Sequence, residues 1–353
     1  MINSNLSKKI LTLGPDKNGK GGMASVLKVY NDYVFNPFLF LRTTAEGSLG
    51  FKLLILLNVF VKVPFYVFFC GVKIIHIHGA SHKSFIRKRI LVNYCSLFPV
   101  NIIFHLHGGE FRLFTEKYGA KKIRKTFKKC IKVVALSQQW EEFINNTIGY
   151  HNTVVITNIV PYPQKQNIKK NGNAICFLFM GSISEKKGVF DLLKVITANK
   201  DYYKEKIKVV IGGNGETDRL KQYIAGNQLE SIVKYAGWVT GEQKIQLLNE
   251  CDIYILPSYN EGLPVSILEA MSYGKAIIST NVGGIPEIVK NGKNGYLLTV
   301  GDTEALEKSI SNFLENREII KSFGDYSERI IKDFLPDNVI LQLENMYDEA
   351  LKR

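Results

Sequence analysis

Cysteine is scarce and scattered in this sequence. The five cysteines are Cys70, Cys95, Cys130, Cys176 and Cys251, and no two of them form a C-x-x-C pair. They therefore supply neither a disulfide framework nor a zinc-binding framework, and the pattern fits free, buried thiols in a reducing compartment. The first residues, MINSNLS, lead directly into an apolar segment and lack the apolar core of a secretory signal peptide. These absences predict a cytosolic protein.

Long apolar runs are also missing. A membrane-spanning helix needs about twenty predominantly apolar residues. The strongest candidate, residues 49–70, is interrupted by Lys52 and Lys62 and contains Pro64. We interpret this segment as a buried helix that ends near Lys62 and is followed by a loop, although its exposed part could lie in a bilayer interface.

Acidic residues are rare in the first half of the chain. Residues 1–165 contain 23 Lys and Arg against 7 Asp and Glu, whereas residues 166–353 contain 23 against 25. In the basic stretch 121–132, Ile123, Phe127 and Cys130 recur at helical spacing, so the basic residues cover the remaining faces. One such helix is equally typical of a solvated surface, but the charge of the whole half favours an anionic membrane surface as partner. No nucleic-acid-binding motif accompanies the charge, so nucleic acid is not an expected partner.

The length of 353 residues exceeds the usual size of one hydrophobic core and favours two domains. Short apolar runs alternate with longer amphipathic ones, and the pattern restarts after a polar, proline-bearing stretch. We predict an α/β protein of two Rossmann-like, doubly wound parallel-sheet domains facing across a cleft. The predicted segments are an N-terminal domain at 1–160, a linker at 161–173, a C-terminal domain at 174–335 and a terminal helix at 336–353. The predicted strands are 9–13, 73–78, 101–106, 132–136, 154–157, 174–180, 207–212, 252–256 and 276–279.

Two carboxylates stand at one strand-to-helix turn in the second half. Residues 252–257 are predicted as a buried strand, and residues 264–273 as a helix that has Pro264 in its first turn and Gly274 just past its end. Glu261 then lies in the loop and Glu269 on the helix. Amides near Gly262 and Leu263, at the helix start, are predicted to hold hydroxyl or phosphate oxygens.

The surrounding sequence, PSYNEGLPVSILEAMSYGKAIISTNVGGIPEI, resembles the E-x7-E signature of retaining glycosyltransferases with the two-domain GT-B fold, specifically glycosyltransferase family 4. The resemblance implies that Glu261 lies against the donor sugar and that Glu269 binds the ribose hydroxyls of the nucleotide. It also implies a terminal helix that crosses back to the first domain. An isolated pair of glutamates would be interpreted as solvated charges, but the match over the flanking residues favours the functional interpretation.

Two glycine-containing loops extend the resemblance. Residues 14–22, GPDKNGKGG, resemble the N-terminal GG loop of the family, so Gly21 and Gly22 are candidates for contacting the donor diphosphate. Residues 181–188, GSISEKKG, resemble the family motif G-R-L-x-x-x-K-G, in which Arg and Lys neutralise the departing diphosphate. Lys187 matches the Lys, but Ser182 replaces the Arg. Since serine carries no charge, leaving-group stabilisation would rest on Lys187, on helix N-termini and on Lys186 or another basic group.

Two His-x-His pairs end predicted strands. His107 resembles the donor-side histidine of the family and is the predicted catalytic imidazole, with His105 as its alternate. The pair of His76 and His78 could shape the acceptor side or be purely structural. No Asp-x-Asp or further ligand cluster accompanies the pairs in sequence, so we predict no metal site. Val239, in AGWVT, resembles the position in the family that offers backbone groups to the nucleobase.

Together, these features predict a retaining, metal-independent glycosyltransferase that needs no cofactor beyond its nucleotide-diphosphate sugar donor. The predicted acceptor is a hydroxyl of a lipid-linked or growing cell-surface glycan, and the predicted location is the cytoplasmic face of a membrane, as a peripheral protein. Two alternatives remain open: a nucleotide-sugar epimerase on the same architecture, and a non-catalytic glycan-binding or partner subunit, which Ser182 makes conceivable.

Overall fold

The structure is a computed structural model that describes residues 1–166, 168 and 172–352. Internal contacts divide the chain into two units, which are called unit 1 (Met1–Pro161 and Asp333–Arg353) and unit 2 (Tyr162–Lys332). These limits lie within three residues of the predicted boundaries at 160 and 335. The predicted linker, 161–173, includes residues 167 and 169–171, which lie outside the described residues.

In its described part, unit 1 forms a parallel sheet of six strands in the order β2-β1-β3-β4-β5-β6. Its elements are α1 (Ser4–Ser7), β1 (Ile10–Pro15), α2 (Gly22–Val29), β2 (Phe40–Thr44), α3 (Leu49–Phe69), β3 (Ile74–Gly79), α4 (His82–Cys95), β4 (Asn101–Leu106), α5 (Phe111–Tyr118), α6 (Ala120–Phe127), β5 (Lys132–Ala135), α7 (Gln138–Phe143) and β6 (Thr153–Val155). The strands are apolar on both faces because helices cover both sides of a parallel sheet. Short π-helical turns, Tyr30–Val34 and Ile144–Ile148, continue α2 and α7.

Unit 2 forms a second parallel sheet of six strands among the described residues, in the order β12-β11-β10-β7-β8-β9. Its elements are β7 (Ile175–Met180), α8 (Val189–Ala198), α9 (Lys200–Tyr203), β8 (Ile207–Gly212), α10 (Thr217–Gly226), β9 (Val233–Gly237), α11 (Gly241–Glu250), β10 (Ile253–Leu256), α12 (Val265–Ser272), β11 (Ala276–Thr280), α13 (Ile285–Ile288), β12 (Gly295–Leu298), α14 (Thr303–Glu315) and α15 (Glu318–Ile330). The strand order reverses between β7 and β10. Such a switch point is where doubly wound sheets bind ligands, outside the carboxyl ends of the strands.

The last helix, α16 (Pro336–Leu351), packs on the sheet of unit 1. The side-chain amide of Asn101 donates to the carbonyl oxygen of Ala350 at 2.6 Å, and Lys132 pairs with Glu349 at 3.3 Å. Tyr347 is fully buried against strand β3, where its hydroxyl lies 2.6 Å from Nδ1 of His76. The polypeptide therefore returns to its first unit after completing the second.

The prediction for residues 49–70 is wrong in two respects. Helix α3 does not end near Lys62 but continues through Pro64 to Phe69. It is also not a buried helix: Ile55, Val59, Val63 and Val67 form a narrow buried stripe, while other large apolar side chains are exposed. Within the described residues α3 is the one helix long and apolar enough to cross a membrane, a criterion that core helices of soluble proteins can also meet.

The cysteine prediction holds in part. All five cysteines are free, and Cys95, Cys130 and Cys251 are buried as expected. Cys70, at the end of α3, is exposed, and Cys176 is half-buried. Thiol burial in this chain therefore follows the position of each residue in its element.

Candidate functional site

Three loops of unit 2 follow the carboxyl ends of β7, β8 and β10, which are neighbours in the sheet. The loop after β7 carries Ser182 and Lys187, and the loop after β10 carries Glu261. The isolated parallel bridge between Ile183 and Gly215 joins the first loop to the loop after β8. The sequence-predicted residues of unit 2 thus stand at the edge where the strand order reverses.

Lys187 and Glu261 form an ion pair. Lys187 ends a short 3₁₀ turn, Glu185–Lys187, and its Nζ lies 2.5 Å from Oε1 of Glu261. The glutamate is 8% exposed, so it is nearly enclosed by the loop that carries it. Two residues that were predicted separately, one for the diphosphate and one for the sugar, are therefore direct partners.

Glycines allow the loops of this site to approach one another closely. Gly188 has φ +70°, and a Cβ atom there would lie 2.0 Å from the carbonyl oxygen of Pro257. The backbone N–H of Tyr259 donates to the carbonyl oxygen of Lys186 at 2.9 Å, which ties the two loops together. On the other side of Glu261, a Cβ atom on Gly283 (φ +55°) would lie 2.0 Å from the glutamate's own carbonyl oxygen. Any other residue at either glycine would displace the loop that positions Glu261.

Glu269 has a partner that the sequence argument missed. It projects from α12 and is buried, and Nζ of Lys244 lies 2.5 Å from its Oε1. Lys244 belongs to α11, 25 residues earlier in the chain, and no motif indicates it. The sequence offered one indication of Lys244: it lies near the start of the helix that follows AGWVT.

Ser182 is exposed, as its place in the loop after β7 predicts. Its Oγ lies 3.2 Å from where a Cβ atom of Gly215 would stand, so it faces the loop after β8. The guanidinium nearest in sequence to that loop, Arg219, already pairs with Glu185 and with Glu216, the latter at 2.8 Å. Arg219 is therefore not a free replacement for the arginine of the family motif.

The remaining predicted residues of unit 2 lie along the same edge. Val239 is buried and packs on Gly212, where a Cβ atom would meet its Cγ2 at 2.7 Å. Gly262 accepts a hydrogen bond from the backbone N–H of Gly284 at 2.7 Å. Gly262 and Leu263 both have interaction partners within the protein, so the donor site is not built on unpaired groups of these two residues.

In unit 1, Gly21 immediately precedes α2 and Gly22 is its first residue, and both are exposed. Gly21 has φ +115°, a conformation that favours glycine, and a Cβ atom on either residue would meet no described atom within 4 Å. The loop therefore leaves open space in front of the first turn of α2, as a ligand-contacting loop requires.

The two His-x-His pairs of unit 1 come together in one cluster. His76 and His78 on β3 lie beside His105 and His107 at the end of β4, with neighbouring ring centroids 4.2–5.3 Å apart. Nδ1 of His78 lies 2.9 Å from Nε2 of His107. Burial lowers the pKa of His107 to about 3, and burial together with the charge of His107 lowers the pKa of His76 to about 3. All four rings are neutral at pH 7, since burial also holds the pKa values of His78 and His105 well below their usual range.

We predicted no metal site because no further ligand cluster accompanies the His-x-His pairs in sequence. That reason is wrong, since the fold brings the two pairs together into one cluster. One ring nitrogen from each of His76, His78 and His105 lies within 4.8 Å of those of the other two, a spacing that a metal ion could use. Neutral imidazoles are also the form that binds metals. Among the described residues this is the one such group, and neither lysine–glutamate pair of unit 2 belongs to it. The absence of a metal at the donor site stays a prediction.

Comparison with known proteins relates part of the chain to a family. Residues 163–330 match the family model described as glycosyl transferases group 1. This segment is similar to the group 1 glycosyl transferases. It contains both lysine–glutamate pairs described above.

Curated relatives are similar to this chain over part of their length. An uncharacterized glycosyltransferase of Methanocaldococcus jannaschii is 34% identical over 59% of this chain and 55% of its own length. An N,N'-diacetylbacillosaminyl-diphospho-undecaprenol alpha-1,3-N-acetylgalactosaminyltransferase of Campylobacter jejuni is 30% identical over 47% of this chain and 42% of its own length. The chain thus spans about half the length of these relatives.

Solved structures show the fold of this chain. Sucrose-phosphate synthase from Thermosynechococcus elongatus aligns with a TM-score of 0.78 at 14% identity, covering 98% of this chain and 99% of that one. Alr3699/HepE of Anabaena, in complex with UDP, aligns with a TM-score of 0.74 at 20% identity, covering 97% and 100%. The two units are the two Rossmann-like domains of the GT-B fold, which confirms the predicted fold class.

Proposed function

We propose that this protein is a retaining, metal-independent glycosyltransferase that moves a sugar from a nucleotide-diphosphate sugar to a hydroxyl of a lipid-linked or growing cell-surface glycan. The observation that carries the proposal is the pair of lysine–glutamate contacts, Lys187–Glu261 and Lys244–Glu269, at the switch point of unit 2. The family match over residues 163–330 supports it. Neighbours of the same fold have been solved with UDP and with UDP-glucose.

Lys187 and Glu261 are proposed to separate when the donor binds. A diphosphate carries more negative charge than one carboxylate and offers several acceptor oxygens, so it can take over the Nζ group of Lys187. Glu261 is then released to accept hydrogen bonds from the donor sugar. As the sugar departs, Lys187 stabilises the charge that grows on the diphosphate. Retention is proposed to follow from attack on the face that the diphosphate leaves.

Glu269 is proposed to bind the two ribose hydroxyls, with Lys244 holding its carboxylate in place. Carboxylate oxygens accept hydrogen bonds, which suits a pair of hydroxyl donors. Each glutamate has a lysine partner, and we assign both to hydroxyl binding and not to the acid and nucleophile roles of glycoside hydrolysis. The proposed roles of His107, Gly21 and Gly22 toward the donor, and of backbone groups of Val239 toward the base, rest on the resemblance.

The membrane location is part of the proposal and rests on unit 1. Unit 1 contains 24 Lys and Arg against 12 Asp and Glu. Helix α3 exposes a broad apolar face, with Leu49 84%, Val61 75% and Phe69 80% exposed. Apolar area together with basic charge is what binds an anionic lipid surface. The Campylobacter relative, named for a diphospho-undecaprenol acceptor, makes a lipid-linked acceptor the preferred class.

Donor binding and turnover by the full chain test the proposal. UDP, GDP and ADP sugars are titrated by calorimetry, and released nucleotide is measured with and without a glycan-lipid extract as acceptor. One donor should bind, and Lys187→Ala should lower turnover by about 100-fold, the order found when a charge-stabilising group is removed. The matched control, Lys194→Ala, removes an exposed lysine of another ion pair in unit 2 and should leave turnover unchanged.

Three results would contradict the proposal. If no nucleotide sugar binds, a non-catalytic role is favoured. If the donor is isomerised without release of nucleotide, the epimerase alternative is correct. If turnover is lost on removal of divalent metal and restored by its return, the reaction is not metal-independent.

A further inference from the structure

Unit 1 contains a basic pocket whose charged residues have no role in the proposed donor site, although Gly21 and Gly22, assigned to the donor by resemblance, form part of its wall. It has a volume of about 750 Å³ and opens between the glycine loop after β1, the end of β2, the first turn of α3 and α4. Four basic residues line it, Lys20, Arg42, Lys52 and Arg87, against two acidic ones, Asp16 and Glu46. We name it the basic pocket.

Three of the four cations in the basic pocket have no acidic partner among the residues that the structure describes. Arg42 pairs loosely with Asp16 at 3.6 Å. In the part of the chain that the structure describes, Lys20, Lys52 and Arg87 have no carboxylate within ion-pair distance. Arg87 is half-buried, and its Nε is a buried donor without a hydrogen-bond partner there. The pocket is therefore lined by three cations without a carboxylate partner among the described residues, and it favours an anion.

The backbone of the pocket suits the same ligand. Gly22, Met23 and Ala24 form the first turn of α2 and line the pocket, and Gly21 before them provides no side-chain cap. First-turn amides and the helix dipole attract phosphate oxygens. The pocket wall is fixed from behind, since Thr43 donates to the carbonyl oxygen of Gly14 at 2.8 Å and Lys88 donates to Thr43. Hydrogen bonds among β1, β2 and α4 therefore fix the wall of the pocket.

An apolar surface begins at the rim of the basic pocket. Phe51 and Lys52 line the pocket and belong to the first turn of α3. From there, exposed apolar side chains follow the helix, which has 21 residues and a length of about 30 Å. These side chains are Leu49, Leu53, Leu54, Leu57, Val61, Phe65, Phe68 and Phe69. An anion site and a lipid-compatible surface are thus continuous in one unit.

We propose that the basic pocket binds the phosphate or diphosphate group of a lipid-linked acceptor, whose hydrocarbon chain lies along α3. The inference rests on the proposed function, because it assigns the acceptor class of that reaction. Lys20, Lys52 and Arg87 bind the phosphate oxygens, and the amides of Met23 and Ala24 in the first turn of α2 complete the site. A nucleotide diphosphate has the same charged group but no hydrocarbon chain, so α3 distinguishes the two sources.

The test is a calorimetric measurement of binding of geranyl diphosphate, a short lipid diphosphate, to the full chain. Geraniol, inorganic pyrophosphate and UDP are the comparison ligands. Geranyl diphosphate should bind more tightly than pyrophosphate, and geraniol should not bind. Arg87→Gln and Lys52→Gln should each weaken geranyl diphosphate binding about tenfold, the order expected for one charge-assisted contact. Lys83→Gln, which removes an exposed charge of α4 outside the pocket, should change it less than twofold.

The outcomes separate this inference from the proposed function. The inference is overturned by any of three results. In the first two, geranyl diphosphate does not bind, or the Lys52→Gln protein, whose altered residue is exposed, binds it as the parent does. The third result is that Lys52→Gln weakens UDP binding as much as it weakens geranyl diphosphate binding, because the pocket would then serve the nucleotide. Donor turnover could still be present in each of these cases. Conversely, geranyl diphosphate binding without binding of any nucleotide sugar would support the basic pocket and contradict the donor site.

Discussion

At the scale of single residues, the two glutamates of unit 2 are predicted to recognise different parts of one donor. Glu269 is assigned to the ribose, so Glu269→Gln should weaken binding of the free nucleotide and of the nucleotide sugar to a similar extent, by about tenfold. Glu261 is assigned to the sugar. Glu261→Gln should leave the affinity for the free nucleotide within twofold and weaken binding of the nucleotide sugar.

Calorimetric titration of both variants with the nucleotide and with its sugar checks this prediction. Glu250→Gln, on the neighbouring helix α11, is the matched control and should behave as the parent. Equal losses for both ligands in the Glu261 variant would contradict the assignment to the sugar.

The sequence could nominate site residues in unit 2 to the extent that they lie in contiguous motifs, and their roles stay predictions. Lys187, Glu261 and Glu269 could be named because fixed spacing within one loop or one turn determines their position. Lys244 could not, because its contact with Glu269 depends on how α11 and α12 pack, and sequence spacing does not encode that. The histidine cluster was missed for a similar reason: each pair was recognised, but the register that aligns His78 with His105 is set by pairing of β3 with β4.

At the scale of elements, the glycines that join the loops should control stability. Gly188→Ala places a Cβ atom 2.0 Å from the carbonyl oxygen of Pro257 at φ +70°. It combines steric overlap with an unfavourable backbone conformation, and should lower the free energy of unfolding by several kcal/mol, about 3 or more.

Gly292→Ala is the matched control, since Gly292 has φ +73° and no described atom within 4 Å of a Cβ atom. Only the backbone cost applies there, about 1 kcal/mol. Chemical denaturation followed by far-UV circular dichroism compares the two variants. Equal losses would show that the close approach of the loops is not what makes Gly188 necessary.

Element types were largely predictable, and element ends were less so. The predicted strands are confirmed with shifts of one or two residues, because buried parallel strands are short apolar runs between polar turns. β2, β9 and β12 were missed: they are outer strands of their sheets and are less uniformly apolar. The end of α3 was misplaced because Lys62 and Pro64 indicate a stop in sequence, whereas both are accommodated on an exposed helix.

At the scale of the whole molecule, unit 1 should be more sensitive to acid than unit 2. Folded His76 has a pKa of about 3, below the ordinary 6.5, so the unfolded chain binds more protons between these values. The stability contributed by the neutral rings is therefore complete above about pH 6.5 and is lost as pH falls toward 3. Each buried ring adds a slope of up to about 1.4 kcal/mol per pH unit.

Hydrogen exchange at several pH values tests this difference, with protection of the β3 and β4 amides compared with that of β10 and β11. Protection in unit 1 should fall more steeply below pH 6.5. His105→Leu should reduce the slope, whereas His151→Asn, at an exposed histidine of the same unit, should not. Parallel losses of protection in both units would refute the role of the cluster.

Membrane binding is the second prediction at this scale. Replacing Leu54, Val61 and Phe65 of α3 together by Gln should lower the affinity for vesicles containing anionic lipid by at least about tenfold, because each exposed side chain contributes buried apolar area at the interface. Flotation measures it, with Leu113→Gln and Leu341→Gln, two exposed leucines elsewhere in unit 1, as the control. Unchanged flotation of the triple variant would remove α3 from the membrane site.

The central claim is that unit 2 binds a nucleotide-diphosphate sugar through Lys187, Glu261 and Glu269. It is tested most directly by a crystal structure of the protein with the nucleotide sugar that binds in calorimetry. The diphosphate should lie about 3 Å from Nζ of Lys187, with the Lys187–Glu261 contact opened and the ribose hydroxyls on Glu269. A donor bound elsewhere, or a bound donor that leaves Lys187 paired only with Glu261, would contradict the account.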